Sequence, residues 1–470
     1  MAVVEGSRVG GTCVNTGCVP TRVLARAARL LRDVRSAGDF GVQVPRPDLA
    51  WERTAARVRA TVEQVQGAKD IGGQLDAAGV HLITEGWARF TDPHTVELSG
   101  SGRRLTGDVI IVATGGRSRV LPIEGIELTT VAEHIVDLER LPASVAVVGS
   151  GSTGSQLATV FSAFGVSVTL LELADRIMPT ADHDVSAAIA AAFRANGVDI
   201  RTGIAGVARV EARGGGLRRV VLVSADGAQE HVDAEVVVVC AGWPARLDGL
   251  GLAAAGVFAT GSTIPVDPRQ RSNVGHIYVA GDADDDTQLV QAGVASGFVA
   301  GTNAVLGAAT GTWTEVDHTV LSSGGFTDPD YGQVGLTEVQ ARAAHPDALV
   351  VTVPYSRLER AVIDARTAGF FKLVATVDGR RLLGAHAVGE EALEVIQCVA
   401  AAMEAGADVR TLATTEYAYP TYTSVIGLAA AELLHTGGFD ELLEDVQVLT
   451  SAAEVNLVDS AGGTALSRSE

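Results

Sequence analysis

Cys13 and Cys18 lie five positions apart, with Gly17 between them and Pro20 just beyond. In a regular α-helix this offset would place their Cα atoms about 8 to 9 Å apart, which exceeds the ~7 Å limit for a disulfide. The backbone must therefore bend between them, and Gly17 suits a bend. We predict a helix from Pro20 onward, so Cys18 would lie at its amino end, where the dipole and free N–H groups lower the pKa of a thiol. Spacing alone leaves open a redox-active pair or two inert, buried thiols.

A glycine-rich turn follows the apolar segment Ser144–Val148. Its sequence is Gly-Ser-Gly-Ser-Thr-Gly, with glycines at Gly149, Gly151 and Gly154. A helix is predicted after the turn, and the next apolar segment ends on Glu172, at the distance that a dinucleotide-binding βαβ unit requires. A carboxylate there can accept hydrogen bonds from both ribose hydroxyls of NADH and would repel a 2′-phosphate. NADH is therefore favoured, although Arg176 lies close enough to leave NADPH as the alternative.

Other apolar segments end in small or acidic residues, as strands do at the ligand-binding edge of an α/β sheet. They are Ala2–Glu5, Asp108–Gly116 with Thr114 and Gly115 near its end, Glu235–Gly242, and Gly275–Asp282 with Gly281 before the acid. Between them, the three- and four-residue spacing of apolar side chains predicts one long amphipathic helix over Asp48–Leu75. Strands are also predicted at Phe370–Ala375 and Leu382–His386.

The composition limits the class of protein. The 470 residues include 47% hydrophobic and 4% aromatic residues with 54 glycines, which suits a multidomain α/β protein with many tight turns. A formal net charge of −20 argues against nucleic acid or an anionic membrane as a partner. Four cysteines in so long a chain do not make an extracellular disulfide scaffold, and no apolar run approaches the ~20 residues that span a bilayer. We therefore expect a cytoplasmic enzyme.

The order Gly-Gly-Thr-Cys-x4-Cys-x-Pro around Cys13 and Cys18 closely resembles the redox-active disulfide of the FAD-dependent pyridine nucleotide disulfide oxidoreductases, which include lipoamide dehydrogenase, glutathione reductase and mercuric reductase. The resemblance covers about residues 1–435. It implies an α/β fold with two nucleotide-binding Rossmann-like domains, for FAD and NAD, and a carboxyl-terminal α+β dimerisation domain. The implied ranges are an amino-terminally incomplete FAD-binding domain at 1–118 and 245–313, an NAD(P)-binding domain at 119–244, a dimerisation domain at 314–436 and an acidic tail at 437–470.

The resemblance also implies roles. Hydride would pass from NADH to the flavin and then to the Cys13–Cys18 disulfide, with Cys18 beside the flavin and Cys13 as the outer, interchange thiol. Gln156 stands where relatives have a glutamate near the flavin, so the surroundings of the flavin would be more positive. The implied cofactor contacts are Glu5 to the ribose of FAD, Asp282 to its ribityl chain, Arg22 where relatives have lysine near the flavin, Thr114, Gly115, Gly242 and Gly281 in the FAD segments, and Gly149, Gly151, Gly154 and Glu172 for NADH.

The segment Glu416–Ser424 departs from the family pattern. Relatives have a histidine and, seven residues later, a glutamate, which deprotonate the outer thiol of the neighbouring subunit, whereas this chain has Tyr417 and Ser424. A phenol with a pKa of about 10 is a poor base at neutral pH, so turnover of a physiological disulfide should fall by roughly 10²- to 10⁴-fold. The vicinal cysteines of many mercuric reductases are also missing, and we expect no metal site.

The sequence begins inside the FAD unit, because the strand, glycine-rich turn and helix that precede Ala2 in the family, roughly thirty residues, are not in it. We therefore expect a displaced start codon or a shortened chain, with weakened FAD binding in this 470-residue chain. Three functions remain open: reduction of a disulfide whose leaving thiol is activated or has a low pKa, reduction of a quinone, dye or metal ion without a thiol substrate, and an FAD-free dimeric binding protein. The expected assembly is a homodimer that acts on a small-molecule acceptor.

Overall fold

A computed structural model describes residues 1–284 and 287–438. Its strands are β1 Ala2–Val4, β2 His81–Ile83, β3 Ala88–Asp92, β4 Thr95–Leu98, β5 Arg104–Thr106, β6 Ile110–Val112, β7 Thr130–Val131, β8 Ser144–Val148, β9 Ser167–Leu171, β10 Asp199–Arg201, β11 Gly206–Ala212, β12 Arg218–Val223, β13 Gln229–Ala234, β14 Val236–Val239, β15 Ile277–Val279, β16 Ser323–Gly325, β17 Tyr331–Gly335, β18 Leu349–Pro354, β19 Phe370–Ala375 and β20 Leu382–Val388. Its α-helices are α1 Gly11–Asn15, α2 Cys18–Ser36, α3 Trp51–Lys69, α4 Ile71–Ala77, α5 Ser152–Ala163, α6 His183–Ala195, α7 Val290–Thr302, α8 Ala308–Thr310, α9 Glu338–Ala344, α10 Glu359–Ile363, α11 Ala392–Glu404, α12 Val409–Thr414 and α13 Ser424–Thr436.

The first of two compact units comprises Met1–Thr180, Ser186–Thr319 and Gly325–Asp328. Its main sheet has five parallel strands in the order β10-β9-β8-β14-β7. β8 is buried along four consecutive residues because β9 and β14 flank it, which explains its uninterrupted apolar sequence. The helix α5 packs against β8 and β9, so the glycine-rich turn between β8 and α5 lies at the carboxyl edge of this sheet.

The rest of the first unit contains smaller sheets. Two are parallel pairs, β1 with β2 and β15 with β6, and two are antiparallel, β3-β4-β5 and β11-β12-β13. α2 packs against both α3 and α5, and α1 contacts α2 and α3. The segment that contains Cys13 and Cys18, called the thiol segment below, is therefore held between helices. The segments that end in Thr114 and Asp282 lie side by side because β15 pairs with β6. The domain boundaries that the sequence suggests within this unit, at residues 118 and 245, stay predictions.

The single long helix expected over Asp48–Leu75 is wrong at Asp70. The chain forms α3 and α4 instead, separated by Asp70 in a left-handed conformation with φ 40°. The side chain of Asp70 accepts a hydrogen bond of 3.2 Å from the backbone N–H of Gly73 and so begins a new helix. α3 consequently ends at Lys69, beside the thiol segment.

The second unit comprises Ala181–Val185, Val320–Gly324 and the residues from Pro329 onward. Its sheet has the order β16-β17-β20-β19-β18. Within it, the pairs β17 with β20, β20 with β19 and β19 with β18 are antiparallel. Apolar side chains of β18, β19 and β20 form a core with α11, α12 and α13. The acidic tail predicted at 437–470 lies, from residue 439 onward, outside the described residues. None of the described helices is long and apolar enough to cross a membrane.

Candidate functional site

The two cysteines lie on either side of a sharp bend. Cys13 is in α1 and Cys18 is the first residue of α2, with Gly17 between the helices at φ −107° and ψ −107°. A Cβ atom at Gly17 would lie 3.1 Å from the carbonyl oxygen of Thr12 and 3.3 Å from the Cα atom of Cys13. The predicted bend is confirmed, and the small size of Gly17 lets the two cysteines approach. Both thiols are free.

The charge of the pair is concentrated on Cys13. Hydrogen bonds from the Cys18 thiol and from the Cys18 backbone N–H, together with the positive charge of Lys69, lower the pKa of Cys13 to about 7 against the opposing effect of burial. The pKa of Cys18 is raised instead, by its hydrogen bond to Cys13, by burial and by the negative charges of Cys13 and Asp282. The expectation that the pKa of Cys18 is lowered at the amino end of α2 is therefore wrong. The backbone N–H of Cys18 does lower this pKa, but the hydrogen bond to Cys13 and burial raise it more.

The glycine-rich turn has the geometry that its sequence predicts. Gly149 adopts φ 100°, and a Cβ atom at Gly154 would collide with the carbonyl oxygen of Gly149. The space around Gly151 is open, with no atom within 4 Å of a Cβ placed there. α5 begins at Ser152 without a side-chain cap, so its first N–H groups are available for a pyrophosphate.

Glu172 follows β9 and is half-buried beside this turn. One carboxylate oxygen accepts hydrogen bonds from the backbone N–H and the hydroxyl of Ser150, at 2.9 and 2.6 Å, and the other accepts one from the N–H of Ala174 at 2.9 Å. Arg176 donates to the carbonyl oxygen of Pro179 within its own loop. The glycine-rich turn, the amino end of α5 and the carboxylate of Glu172 fit a nicotinamide dinucleotide.

The residues expected to contact FAD also fit that cofactor. Within the described chain, the hydroxyl of Thr114 and the Nη1 of Arg22 are buried without a hydrogen-bond partner, as expected of groups that await a ligand. Burial raises the pKa of Asp282, whose side chain accepts a hydrogen bond from Trp243. Glu5, directly after β1, accepts a 2.8 Å hydrogen bond from the N–H of Ser7.

Gly115, Gly242 and Gly281 share one property: each adopts a positive φ, of 67°, 114° and 66°. These residues lie just after β6, just after β14 and two residues after β15. A residue with a Cβ atom would be strained at these positions. The three glycines therefore turn the chain sharply at the strand ends where ligands of α/β sheets bind.

Arg22 and Gln156 contact the same aromatic residue. The guanidinium of Arg22 stacks on the ring of Phe326 at 3.9 Å from its centroid, and the amide oxygen of Gln156 accepts a 3.2 Å hydrogen bond from the N–H of Phe326. An arginine on an aromatic face is stabilised without a negative partner. The positive charge of Arg22 is thus held in place although the acid of the family pattern is replaced by Gln156.

Tyr417 and Ser424 lie in the second unit, and neither is arranged as a base. The Tyr417 hydroxyl donates to the carbonyl oxygen of Leu412 at 3.1 Å, and burial, with a smaller effect of Cys398, raises its pKa to about 12. Ser424 donates to the carbonyl oxygen of Thr421 at 2.7 Å. His386, in β20, is fully buried with a pKa lowered by that burial, so it does not replace the missing histidine within this unit.

The sequence did not single out Lys69, Trp243 or Phe326. Lys69 is the last residue of α3, Trp243 follows Gly242 directly, and Phe326 precedes the Thr-Asp-Pro segment. None of them belongs to a cofactor motif. The position of Trp243 next to a predicted cofactor glycine is the one signal that could have drawn attention to it.

Two family models match the chain. The pyridine nucleotide-disulphide oxidoreductase model matches residues 1–297, and the dimerisation domain model of that family matches residues 321–430. Dihydrolipoyl dehydrogenase of Mycobacterium tuberculosis (strain ATCC 25618 / H37Rv) is 33% identical over 444 residues, which cover 90% of this chain and 91% of the relative. Mercuric reductase of Shigella flexneri is 33% identical over 443 residues, which cover 92% of this chain and 76% of the relative.

Solved structures show the same likeness. The HOCl-induced flavoprotein disulfide reductase RclA from Escherichia coli has a TM-score of 0.79 and 26% identity, covering 92% of this chain and 93% of that chain. LpdA from Mycobacterium tuberculosis has a TM-score of 0.81 and 26% identity over similar shares, 92% and 93%. These matches confirm the fold class and the family resemblance inferred from the sequence.

Proposed function

The chain belongs to the pyridine nucleotide-disulphide oxidoreductase family, and on that premise we propose that it reduces small-molecule disulfides whose leaving thiol has a low pKa, with NADH as the electron donor. The family is FAD-dependent and takes electrons from NAD(P)H, and this chain is an oxidoreductase of that kind. Its dimerisation domain supports a homodimer. The cytoplasm stays the predicted compartment.

The nicotinamide nucleotide would be bound by groups around the glycine-rich turn. The free N–H groups at the start of α5 would hold the pyrophosphate, and the open space at Gly151 lets the nucleotide approach the backbone. The carboxylate of Glu172 would exchange its hydrogen bonds with Ser150 for those of the ribose hydroxyls. A 2′-phosphate would be repelled there, which supports NADH.

The acceptor would be reduced by the Cys13–Cys18 pair. FAD, when bound, would supply the two-electron chemistry that links the nicotinamide to the Cys13–Cys18 disulfide. The Cys13 thiolate then attacks one sulfur of the acceptor, so that a mixed disulfide forms and the other acceptor sulfur leaves as a thiolate. Cys18 then loses its proton to solvent and attacks the Cys13 sulfur of the mixed disulfide, so that the Cys13–Cys18 disulfide forms again and the second acceptor sulfur leaves as a thiolate.

The observation that carries the proposal is the hydroxyl of Tyr417. It is tied to the carbonyl oxygen of Leu412, and its pKa of about 12 keeps it protonated. No group at this position can take a proton from Cys13 or quickly return one to a basic leaving thiolate. An acceptor whose leaving thiol has a low pKa avoids that requirement, because its thiolate departs unprotonated.

Metal-ion reduction is a further candidate reaction, and the described residues add no observation in its favour. Some relatives are named mercuric reductase, and one solved neighbour is a Cu(II) complex of RclA. Residues 1–284 and 287–438, however, contain no group of three or more His, Cys, Asp or Glu side chains that could hold a metal ion. Relatives that cover about nine-tenths of the chain are named as enzymes, which also disfavours an FAD-free binding protein.

The test compares two disulfides. With NADH, the unaltered protein should reduce an aromatic disulfide with acidic leaving thiols much faster than lipoamide, whose thiols are basic. Installing the family pair, Tyr417→His with Ser424→Glu, should raise lipoamide turnover by at least about tenfold, and each single change should raise it less, because the carboxylate orients the imidazole. Initial rates of NADH oxidation are measured for the unaltered protein, the two single variants and the double variant.

Tyr417→Phe is the matched control, because it removes the hydroxyl and keeps the ring against Gly427. Its rates with both disulfides should stay within about twofold of the unaltered protein, since the hydroxyl is not a base. Rapid lipoamide turnover by the unaltered protein would contradict the proposal. Unchanged rates in Cys13→Ser would show that electrons bypass the thiols and would favour the quinone or dye reaction.

A further inference from the structure

We propose that Lys69, at the carboxyl end of α3, favours the thiolate form of Cys13 in the reduced enzyme and so takes over part of the role of the base that the carboxyl-terminal segment lacks. This inference deepens the proposed function and rests on it for the role of Cys13 as the attacking thiol. Lys69 is a positioning residue, since it acts on the substrate only through the sulfur.

The packing of α3 against the thiol segment places Lys69 there. Gln66, one turn earlier on α3, donates a 2.8 Å hydrogen bond to the carbonyl oxygen of Val9 and a second one to the side chain of Asn15. Asn15 is the last residue of α1, which contains Cys13, and Asn15 in turn donates to the carbonyl oxygen of Gly11 at 2.9 Å. α1 is thus fastened at both ends to the last turns of α3. Lys69 lies less than one turn beyond Gln66, on the same side of the helix.

The break at Asp70 makes Lys69 the last residue of α3. α3 stops at Lys69 because Asp70 adopts φ 40° and caps α4. Had the helix continued, the chain direction after Lys69 would be different. The amide side chain of Gln74 also donates to the carbonyl oxygen of Lys69 at 2.6 Å, which fastens this end of α3.

The charges around Cys13 leave Lys69 as the group that acts on it from α3. α1 contains no charged residue. From α2, Cys18 directs its thiol and its backbone N–H to the Cys13 sulfur. Glu63, earlier on α3, is paired with Arg8 at 2.7 Å. Asp282 acts on Cys18 and opposes ionisation of that thiol. The net effect is that the negative charge of the reduced pair rests on the outer thiol, which must be a thiolate to attack a disulfide.

Cys13 is therefore a nucleophile that is ionised before the acceptor binds. In the family pattern a histidine removes the proton from the outer thiol, whereas here the hydrogen bond from the Cys18 thiol, the amino end of α2 and the positive charge of Lys69 favour the thiolate directly. A thiolate of this kind attacks an acceptor without proton transfer but offers no proton to the leaving group. The arrangement therefore suits acceptors that leave as thiolates.

The experiment measures ionisation of Cys13 in the full chain reduced with dithiothreitol, without any acceptor. Reduced protein is exposed briefly to iodoacetamide over a range of pH, and the labelled peptides are quantified by mass spectrometry. Cys13 should react before Cys18, and Cys398, an exposed thiol on α11, provides an internal reference. At about pH 6.5 and low salt, Lys69→Gln should slow labelling of Cys13 about two- to fivefold, the range expected for one exposed charge.

Three comparisons make the result specific. Lys69→Arg should retain the rate of the unaltered protein, because the charge is kept. Arg57→Gln, which removes an exposed positive charge elsewhere on α3, should also leave it unchanged. The effect of Lys69→Gln should shrink at about 1 M salt, where the screening length falls to about 3 Å.

Equal labelling of Cys13 in Lys69→Gln and the unaltered protein would overturn the inference. So would an equal loss in Arg57→Gln, or labelling of Cys18 ahead of Cys13. These measurements do not depend on turnover. If the labelling follows expectation and aromatic disulfides are nevertheless not reduced, the proposed function fails while the role of Lys69 stands.

Discussion

Single residues in this molecule determine which of two similar groups carries a charge. Cys13 and Cys18 are chemically identical, yet the hydrogen bonds and charges around them lower the pKa of the first and raise that of the second. Glu172 is likewise held in one orientation by three hydrogen bonds from backbone and hydroxyl groups. Such fixed charges select among substrates because a ligand of the wrong charge must remain unpaired beside them.

Glu172 provides the first test at this scale. The unaltered protein should have a kcat/KM for NADH about 5- to 150-fold above that for NADPH, the range of a coupling of ~1–3 kcal/mol. Glu172→Gln keeps an acceptor for Ser150 but removes the charge, so this ratio should fall by about tenfold. Asp175→Asn removes a nearby exposed charge and should leave the ratio unchanged. Steady-state kinetics with both nucleotides and one acceptor decide it, and a preference of the unaltered protein for NADPH would contradict the role given to Glu172.

At the scale of elements, the turn between β8 and α5 depends on the close approach of two glycines. A side chain at Gly154 would collide with the carbonyl oxygen of Gly149, whereas one at Gly151 would meet open space. The same substitution therefore has different consequences at two positions of one motif.

Alanine at each position separates stability from binding. Gly154→Ala should lower the free energy of unfolding by about 1–3 kcal/mol, as overpacking does, and should lower the melting temperature. Gly151→Ala should melt within a few degrees of the unaltered protein but bind NADH more weakly, because its methyl group enters the space for the pyrophosphate. Thermal denaturation and NADH titration measure the two effects. Equal melting temperatures for the two variants would argue against the close contact.

Elements with a strong local signal could be predicted from the sequence. Ser144–Val148 and Phe370–Ala375 form strands with the predicted limits because consecutive apolar residues, many of them β-branched, favour buried strands. The break at Asp70 was missed because the helical periodicity continues through it, although the Gly72-Gly73 pair that follows is a signal for a turn.

Contacts between distant segments could not be predicted in the same way. The cysteines, glycines and Glu172 belong to motifs in which a few neighbouring residues specify the geometry. Lys69 and Phe326 reach the site only because α3 packs on α1 and because Phe326, far along the chain, meets Arg22. The pKa order of the two thiols depends chiefly on the direction of the hydrogen bond between their sulfur atoms. Sequence spacing carries no information on that direction.

At the scale of the whole molecule, a net charge of −20 means that carboxylates outnumber cationic side chains, so each cation that neutralises several carboxylates contributes to stability. Lys372 is one such cation in the second unit, with a side chain only 2% exposed. Its ammonium contacts Asp182 at 2.8 Å, Asp184 at 2.6 Å and Glu338 at 2.9 Å. Burial alone would lower the pKa of Lys372, but these hydrogen bonds raise it well above its usual range.

The pH dependence of stability follows from this cluster. The pKa of Glu338 is lowered, chiefly by its hydrogen bond to Lys372, and that of Asp182 is lowered by Lys372 despite burial. Carboxyl groups with a lowered pKa stabilise the folded protein at pH values above their ordinary pKa, near 4, and lose this contribution as the pH falls further. The cluster should therefore stabilise the second unit at neutral pH and fail in acid.

Lys372→Met tests this dependence, since it leaves the buried carboxylate of Asp182 without its cation. At about pH 7 it should lower the free energy of unfolding by about 3–5 kcal/mol, and the difference from the unaltered protein should narrow below about pH 4, where the carboxyl groups are protonated. Arg342→Met removes an exposed partner of the same Glu338, at 2.9 Å, and should cost less than about 1 kcal/mol. Melting temperatures followed by circular dichroism across this pH range provide the measurement. A Lys372→Met variant as stable as Arg342→Met at neutral pH would mean that the buried ammonium costs as much in lost hydration as its three carboxylates return.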